Sequence, residues 1–154
     1  MVAETKYFGT VDIEDDKILD FPMGIIGFEE LRKFAIIFDS DREERANISW
    51  LQSMEEPVMV MPVINPLDIR EEYNPIVEDE LVKAIGNPSD EDIMILVTMS
   101  IPSDLTKMTA NLKAPIIINT ATRQAMQVIV ENEDYEIKYN VYDAIERLKA
   151  KAGE

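Results

Sequence analysis

Carboxylates are the reactive groups this chain carries in quantity: 31 Asp and Glu among 154 residues, against 15 Lys and Arg. Two carboxylates at the right separation act as acid and base, and clusters of them hold divalent cations. Asp12-Ile-Glu-Asp-Asp16 and Asp39-Ser-Asp-Arg-Glu-Glu44 both look like the opening of a calcium loop. Neither continues with the central glycine and the trailing bidentate Glu that such a loop needs. So acidic a chain brings carboxylates together by chance, and solvated turns are the expectation. A paired-carboxylate glycosidase would normally add an aromatic platform for sugar, and this chain has one Trp and five Tyr.

Histidine and cysteine are absent. That excludes disulfides, zinc sites built on Cys or His, iron–sulfur clusters, a haem His ligand and every Ser-His-Asp or Cys-His nucleophile. It also excludes a histidine pH switch. With five glycines and neither GxxxxGK[ST] nor GxGxxG, no phosphate-cradling loop is available. Gly24-Ile-Ile-Gly27 has the form of a KH-domain GxxG loop, yet its setting, Phe21-Pro-Met-Gly-Ile-Ile-Gly-Phe28, holds no cation to clamp a phosphate. A tight turn is the better reading, with Pro22 fixing φ before it and the glycines permitting positive φ. No cofactor or metal is expected.

The charge bears on partners. A formal −16 repels nucleic acid and anionic lipid, and either keeps the domain soluble or steers it toward a basic protein. The stretch from Met1 to Asp16 has no basic and apolar regions of a secretory signal, and the apolar run Ile93–Val97 is too short to span a bilayer. A cytoplasmic protein without membrane contact is expected.

Most of the chain has the period of strands. Lys6–Ile13 and Ile18–Phe21 read as an antiparallel hairpin across Glu14–Lys17. Further strands are expected at 34–38, 48–53, 58–64, 93–99, 106–112, 115–119, 124–131 and 135–139, with Pro62 marking an edge or a bulge. Glu78–Ile85 reads as a short helix stopped at Gly86. Tyr142–Lys151 reads as a C-terminal helix with an Asp143/Arg147 pair, packing over a barrel end or projecting to a partner. The fold expected is a mainly β single domain over 1–154, a compact antiparallel barrel with these two helices.

Nine methionines invite a binding reading beside the core-filling one, since thioethers suit adaptable surfaces. Between Met99 and Met108, the loop residues Ile101 and Leu105 are candidates for a recognition patch.

Four stretches in sequence resemble the FliW family of bacterial flagellar assembly factors. They are Phe21-Pro-Met-Gly-Ile-Ile-Gly-Phe-Glu29, Trp50-Leu-Gln-Ser53 with Glu56-Pro57, Met108-Thr-Ala-Asn-Leu-Lys-Ala-Pro-Ile-Ile-Ile-Asn119, and Arg123-Gln-Ala-Met-Gln-Val-Ile129. Their order covers nearly the whole chain. Where the family often carries Pro-Asp-Tyr, this chain has Asp68-Ile-Arg-Glu-Glu-Tyr-Asn-Pro75. The resemblance implies a small, acidic, cytoplasmic β-barrel without enzymatic activity. It also implies two partners: unsecreted flagellin, and the basic RNA-binding translational repressor CsrA. Free protein would antagonise CsrA non-competitively, so coupling flagellin translation to secretion.

For CsrA the densest acids near the predicted helix, Glu71, Glu72, Glu78, Asp79 and Glu80, are the expected contacts. For flagellin they are Ile101, Leu105 and Met108. The family-motif positions Phe21, Pro22, Gly24, Gly27, Phe28, Trp50, Gln52, Pro57, Asn111, Pro115, Asn119 and Arg123 read as structural. Two alternatives stand beside this: a carboxylate-dependent metal-binding hydrolase, and an interaction barrel without regulatory role.

Overall fold

Alternating side chains on a strand face opposite sides of a sheet, so a strand apolar on both sides must have a core on each. The computed structural model, which describes residues 1–38 and 47–152, is built on that logic. The acidic stretch Asp39–Glu44 lies outside the described residues.

Eleven strands are present among the described residues: β1 (Val2–Thr5), β2 (Gly9–Asp12), β3 (Leu19–Asp20), β4 (Lys33–Ile37), β5 (Ser49–Ser53), β6 (Val60–Ile64), β7 (Ile93–Ser100), β8 (Thr109–Ala110), β9 (Ile116–Asn119), β10 (Gln124–Gln127) and β11 (Tyr139–Asn140). Two α-helices, α1 (Asp79–Lys83) and α2 (Tyr142–Ala152), join them. Hydrogen-bonded neighbours run β7-β6-β5-β4-β3-β10-β9, and β9 pairs back onto β7, so the ladder closes into a ring. β8 and β11 extend from the far end of β7, and β1 and β2 form a separate two-stranded sheet.

Two expectations are corrected. The hairpin joins β1 to β2, not Lys6–Ile13 to Ile18–Phe21, because the turn at Lys6–Phe8 reverses the chain earlier. β3 instead pairs antiparallel with β4 and parallel with β10, the latter through the single pair Gln124↔Asp20. Pro62 lies on neither an edge nor a bulge: β6 is an interior strand, and Pro62 pairs across to Trp50. Its missing N–H shows on the other side, where the β6–β7 ladder covers only Val63 and Ile64.

The ring interior is filled by Leu19, Phe21, Phe34, Leu51, Val63, Leu96, Ile116, Ile118 and Ala125. Phe21 and Phe34 meet edge-to-face at 5.1 Å. Their sequence neighbours Ile64, Val97, Ile117 and Met126 point the other way into a second cluster, outside the ring, with Val141, Ala144 and Ile145. The C-terminal helix therefore covers the outer wall of the barrel and not an open end. Its apolar stripe answers an apolar wall.

The quoted motifs hold turns. Gly24 has φ of +68°, and a Cβ there would lie 2.4–2.6 Å from the Glu29 backbone, so only glycine closes this loop. Gln52, wholly buried, donates from Nε2 to the carbonyls of Ser53 at 2.9 Å and Met59 at 3.2 Å, bracing the β5–β6 turn. Asn111 Oδ1 accepts from the amides of Lys113 and Ala114, both at 3.1 Å. Asn119 accepts from Ala121 N at 3.0 Å and donates to the Ile85 carbonyl at 2.7 Å, tying the turn after α1 to the barrel. Arg123, at φ of +64°, offers its carbonyl to Asp20 N across the thin parallel seam.

Candidate protein-binding site

After β6 the chain leaves the barrel wall and runs as a strap from Asn65 to Val77. Asn65 Oδ1 caps the 3₁₀ turn Pro66–Asp68 by accepting from Leu67 N at 3.0 Å. The strap is then fastened by side chains far away in sequence. Tyr73 is buried and donates its hydroxyl to the Leu112 carbonyl at 2.7 Å. Asn74 N donates to the Tyr135 hydroxyl, and Ile76 N to Asn132 Oδ1, each at 2.7 Å. The two tyrosine rings pack with centroids 4.7 Å apart. Burial pushes the Tyr73 phenol far above its ordinary range, with the Tyr135 hydroxyl adding to the shift.

Arg70 anchors the outer edge of the strap. Its guanidinium lies 4.8 Å from the Tyr135 ring centre and 5.6 Å from that of Tyr139. It donates to Glu72 at 2.8 Å and reaches Asp134 at 3.5 Å. That hydrogen bond holds the Glu72 carboxyl below the usual carboxylate range, and it raises the Arg70 guanidinium in return. A cleft of about 510 Å³ opens here between the strap and α2, lined by Asp68, Arg70, Glu71, Glu72, Arg147 and Lys151 among others.

All five expected acids are exposed. Glu71 and Glu72 line the cleft, whereas Glu78, Asp79 and Glu80 sit at the start of α1 and do not line it. Glu72 is engaged by Arg70, and Glu80 lies 3.3 Å from Lys83. The stretch is therefore less uniformly negative than its sequence suggests.

The expected apolar trio separates. Leu105, at 45% exposure, stands on a 3₁₀ turn capped by Asp104, whose Oδ1 accepts from Thr106 N at 3.2 Å. Ile101 is half-buried against the outer core. Met108 is 3% exposed and belongs to that core, so it cannot touch a partner in this conformation. It stands between the 3₁₀ turn and β8, and like Ala110 two positions on it is turned inward.

Sequence reasoning missed Arg70 as an organising residue. Read along the chain it is one cation among acids, and its aromatic partners lie more than sixty positions away. Among the described residues no group of three or more Asp or Glu converges to hold a metal ion, and no helix is long and apolar enough to cross a membrane.

The sequence model of the FliW protein family matches residues 2–141. The chain belongs to the FliW family. The flagellar assembly factor FliW of Lachnoclostridium phytofermentans is 46% identical over 155 residues, covering 100% of this chain and 99% of that protein. That of Lachnospira eligens is 42% identical, covering 96% of this chain and 98% of its own. A crystal structure of the flagellar assembly factor FliW aligns with a TM-score of 0.83 at 28% identity, covering 92% of this chain and 96% of that one. The mainly β fold is thus the FliW fold, and the strap, the cleft beside α2 and the Leu105 turn are features laid on it.

Proposed function

We propose that this chain is a partner-switching regulator of flagellar assembly in the cytoplasm. It holds flagellin while flagellin is unsecreted, and when free it binds CsrA and antagonises it non-competitively, without itself contacting RNA or membrane. The observation that carries this reading is the whole-chain match to the FliW family, given the role that the resemblance of its motifs implies. Two physical features support it. A charge of −16 disfavours RNA and attracts a basic repressor. Exposed Glu71, Glu78 and Asp79 supply local negative charge, while Leu105 beside half-buried Ile101 supplies an apolar contact of the kind an amphipathic flagellin helix takes.

Switching carries a thermodynamic demand. If flagellin weakens CsrA binding, CsrA must weaken flagellin binding by the same factor. Calorimetric titration of each partner into the protein, with and without the other, is the test. An equal loss of affinity for each partner in the presence of the other is expected; independent binding of the two, or binding of neither, would refute the switch.

A further inference from the structure

Among the described residues, the barrel wall is open beside the first half of β7. β6 and β7 pair only at Val63↔Thr98 and Ile64↔Val97, because the chain then turns away at Asn65 into the strap. Among the described residues, Ile93–Leu96 therefore have ladder partners on the β9 side alone. Met94 shares a side with the interior residues Leu96 and Ile118, yet it is 39% exposed, since no neighbouring strand closes over it. A groove of about 570 Å³ lies here, lined by Ile93, Met94 and Ile95 of β7 and by Leu67 of the strap, which is 53% exposed. Asp90 and Glu91 line its rim, and none of its described lining residues is a cation.

Three properties of this groove name its occupant. An open strand edge offers main-chain donors and acceptors to another extended backbone. Met94 and Leu67 present a flexible thioether and an aliphatic side chain, a surface that adapts to apolar groups. The paired acids at the rim, within a chain of net charge −16, favour Lys or Arg beside those groups. We infer that this groove is a docking site for a short extended segment of a partner protein that alternates aliphatic with basic side chains and pairs with the open edge of β7. The inference stands on this geometry and goes beyond either partner of the reading above.

The probe is an acetylated heptapeptide alternating lysine and valine, titrated into the full chain carrying ¹³C-methyl methionine and ¹⁵N labels. Saturable shifts of the Met94 methyl and of the Ile93–Ile95 amides are expected. A peptide with the same sequence but N-methylated at alternate residues should bind at least tenfold more weakly, because it cannot complete the ladder. A glutamate–valine version should not bind. Asp90→Asn with Glu91→Gln should weaken the lysine peptide several-fold and flatten its salt dependence, and Leu67→Ser, at an exposed position, should weaken it without shifting Tm. Shifts centred elsewhere, or equal binding of the N-methylated or glutamate peptide, would overturn the proposal. So would Met94 shifts that track protein concentration without peptide, since the groove would then be filled by a second copy.

Discussion

The strap Asn65–Val77 and the turn around Leu105 are both surface segments, yet distant side chains carry more of the one than of the other. The strap is fastened from a distance, through Tyr73 to Leu112 and through Asn132 and Tyr135 to its backbone. The Leu105 turn is set locally, by Asp104 accepting from Thr106, and tied from a distance only at its end, where Asn140 donates to the Thr106 carbonyl at 2.9 Å and Met108 sinks into the core. Exposure alone therefore does not say what a substitution will do. The anchoring does.

The largest effect expected from breaking this comparison is at Met108. Met108→Ala should cost about 2–5 kcal/mol, as large-to-small changes in a packed core do. Chemical denaturation measures it, and a loss below 1 kcal/mol would return Met108 to the surface. Next comes Tyr73→Phe, which removes one buried hydrogen bond and should cost about 1–2 kcal/mol. The same variant has a pH signature. The folded state holds the phenol proton at pH values where the unfolded chain releases it, near pH 10. The Tyr73 contribution to stability is therefore full below about pH 10 and falls as pH rises beyond it. Tyr73→Phe should abolish that fall, and parallel alkaline slopes for both proteins would contradict the buried phenol.

Arg70→Met should be milder, about 1 kcal/mol, since cation–π contacts and partly exposed ion pairs each contribute little. What Glu72 gains from Arg70 is present at neutral pH and disappears as pH falls through its depressed carboxylate range, because protonation then becomes possible in the fold. Tm measured down an acid series should therefore converge for wild type and Arg70→Met. Persistent separation would assign the effect to the aromatic stacking. The smallest stability change, within about 0.5 kcal/mol, is expected for Leu105→Asp, an exposed position. Flagellin pull-down with that variant should fail all the same; undiminished capture would move the flagellin site away from this turn.

Much of the architecture was legible in local pattern. The runs at 93–99 and 116–118, apolar at consecutive positions, belong to strands with a core on each side, which is why they do not alternate. The expected helix at Glu78–Ile85 is present as the shorter α1 (Asp79–Lys83), with acids in its first turn and no side-chain cap, and Tyr142–Lys151 lies within α2, although α2 pairs Glu146 with Lys149 at 3.6 Å and Arg147 lines the cleft. Less of the candidate site was visible. Leu105 stood out as an apolar residue in a loop, but its neighbour Met108 had the same character and the opposite fate. Arg70 and Met94 carried no signal, the first because its partners are distant, the second because an apolar strand residue is ordinarily enclosed.

By itself the amino-acid order determined the composition-level chemistry, the extended and helical segments, the glycine-dependent turn at Gly24 and the motifs that mark the family. Those depend on backbone sterics and on residues a few positions apart. Tertiary structure alone decided that β9 returns to β7, that β6 departs early and leaves Met94 uncovered, and that Arg70 lies between Tyr135 and Tyr139. These are pairings between segments separated by tens of residues, and their energy depends on which surfaces meet, a quantity no local window contains.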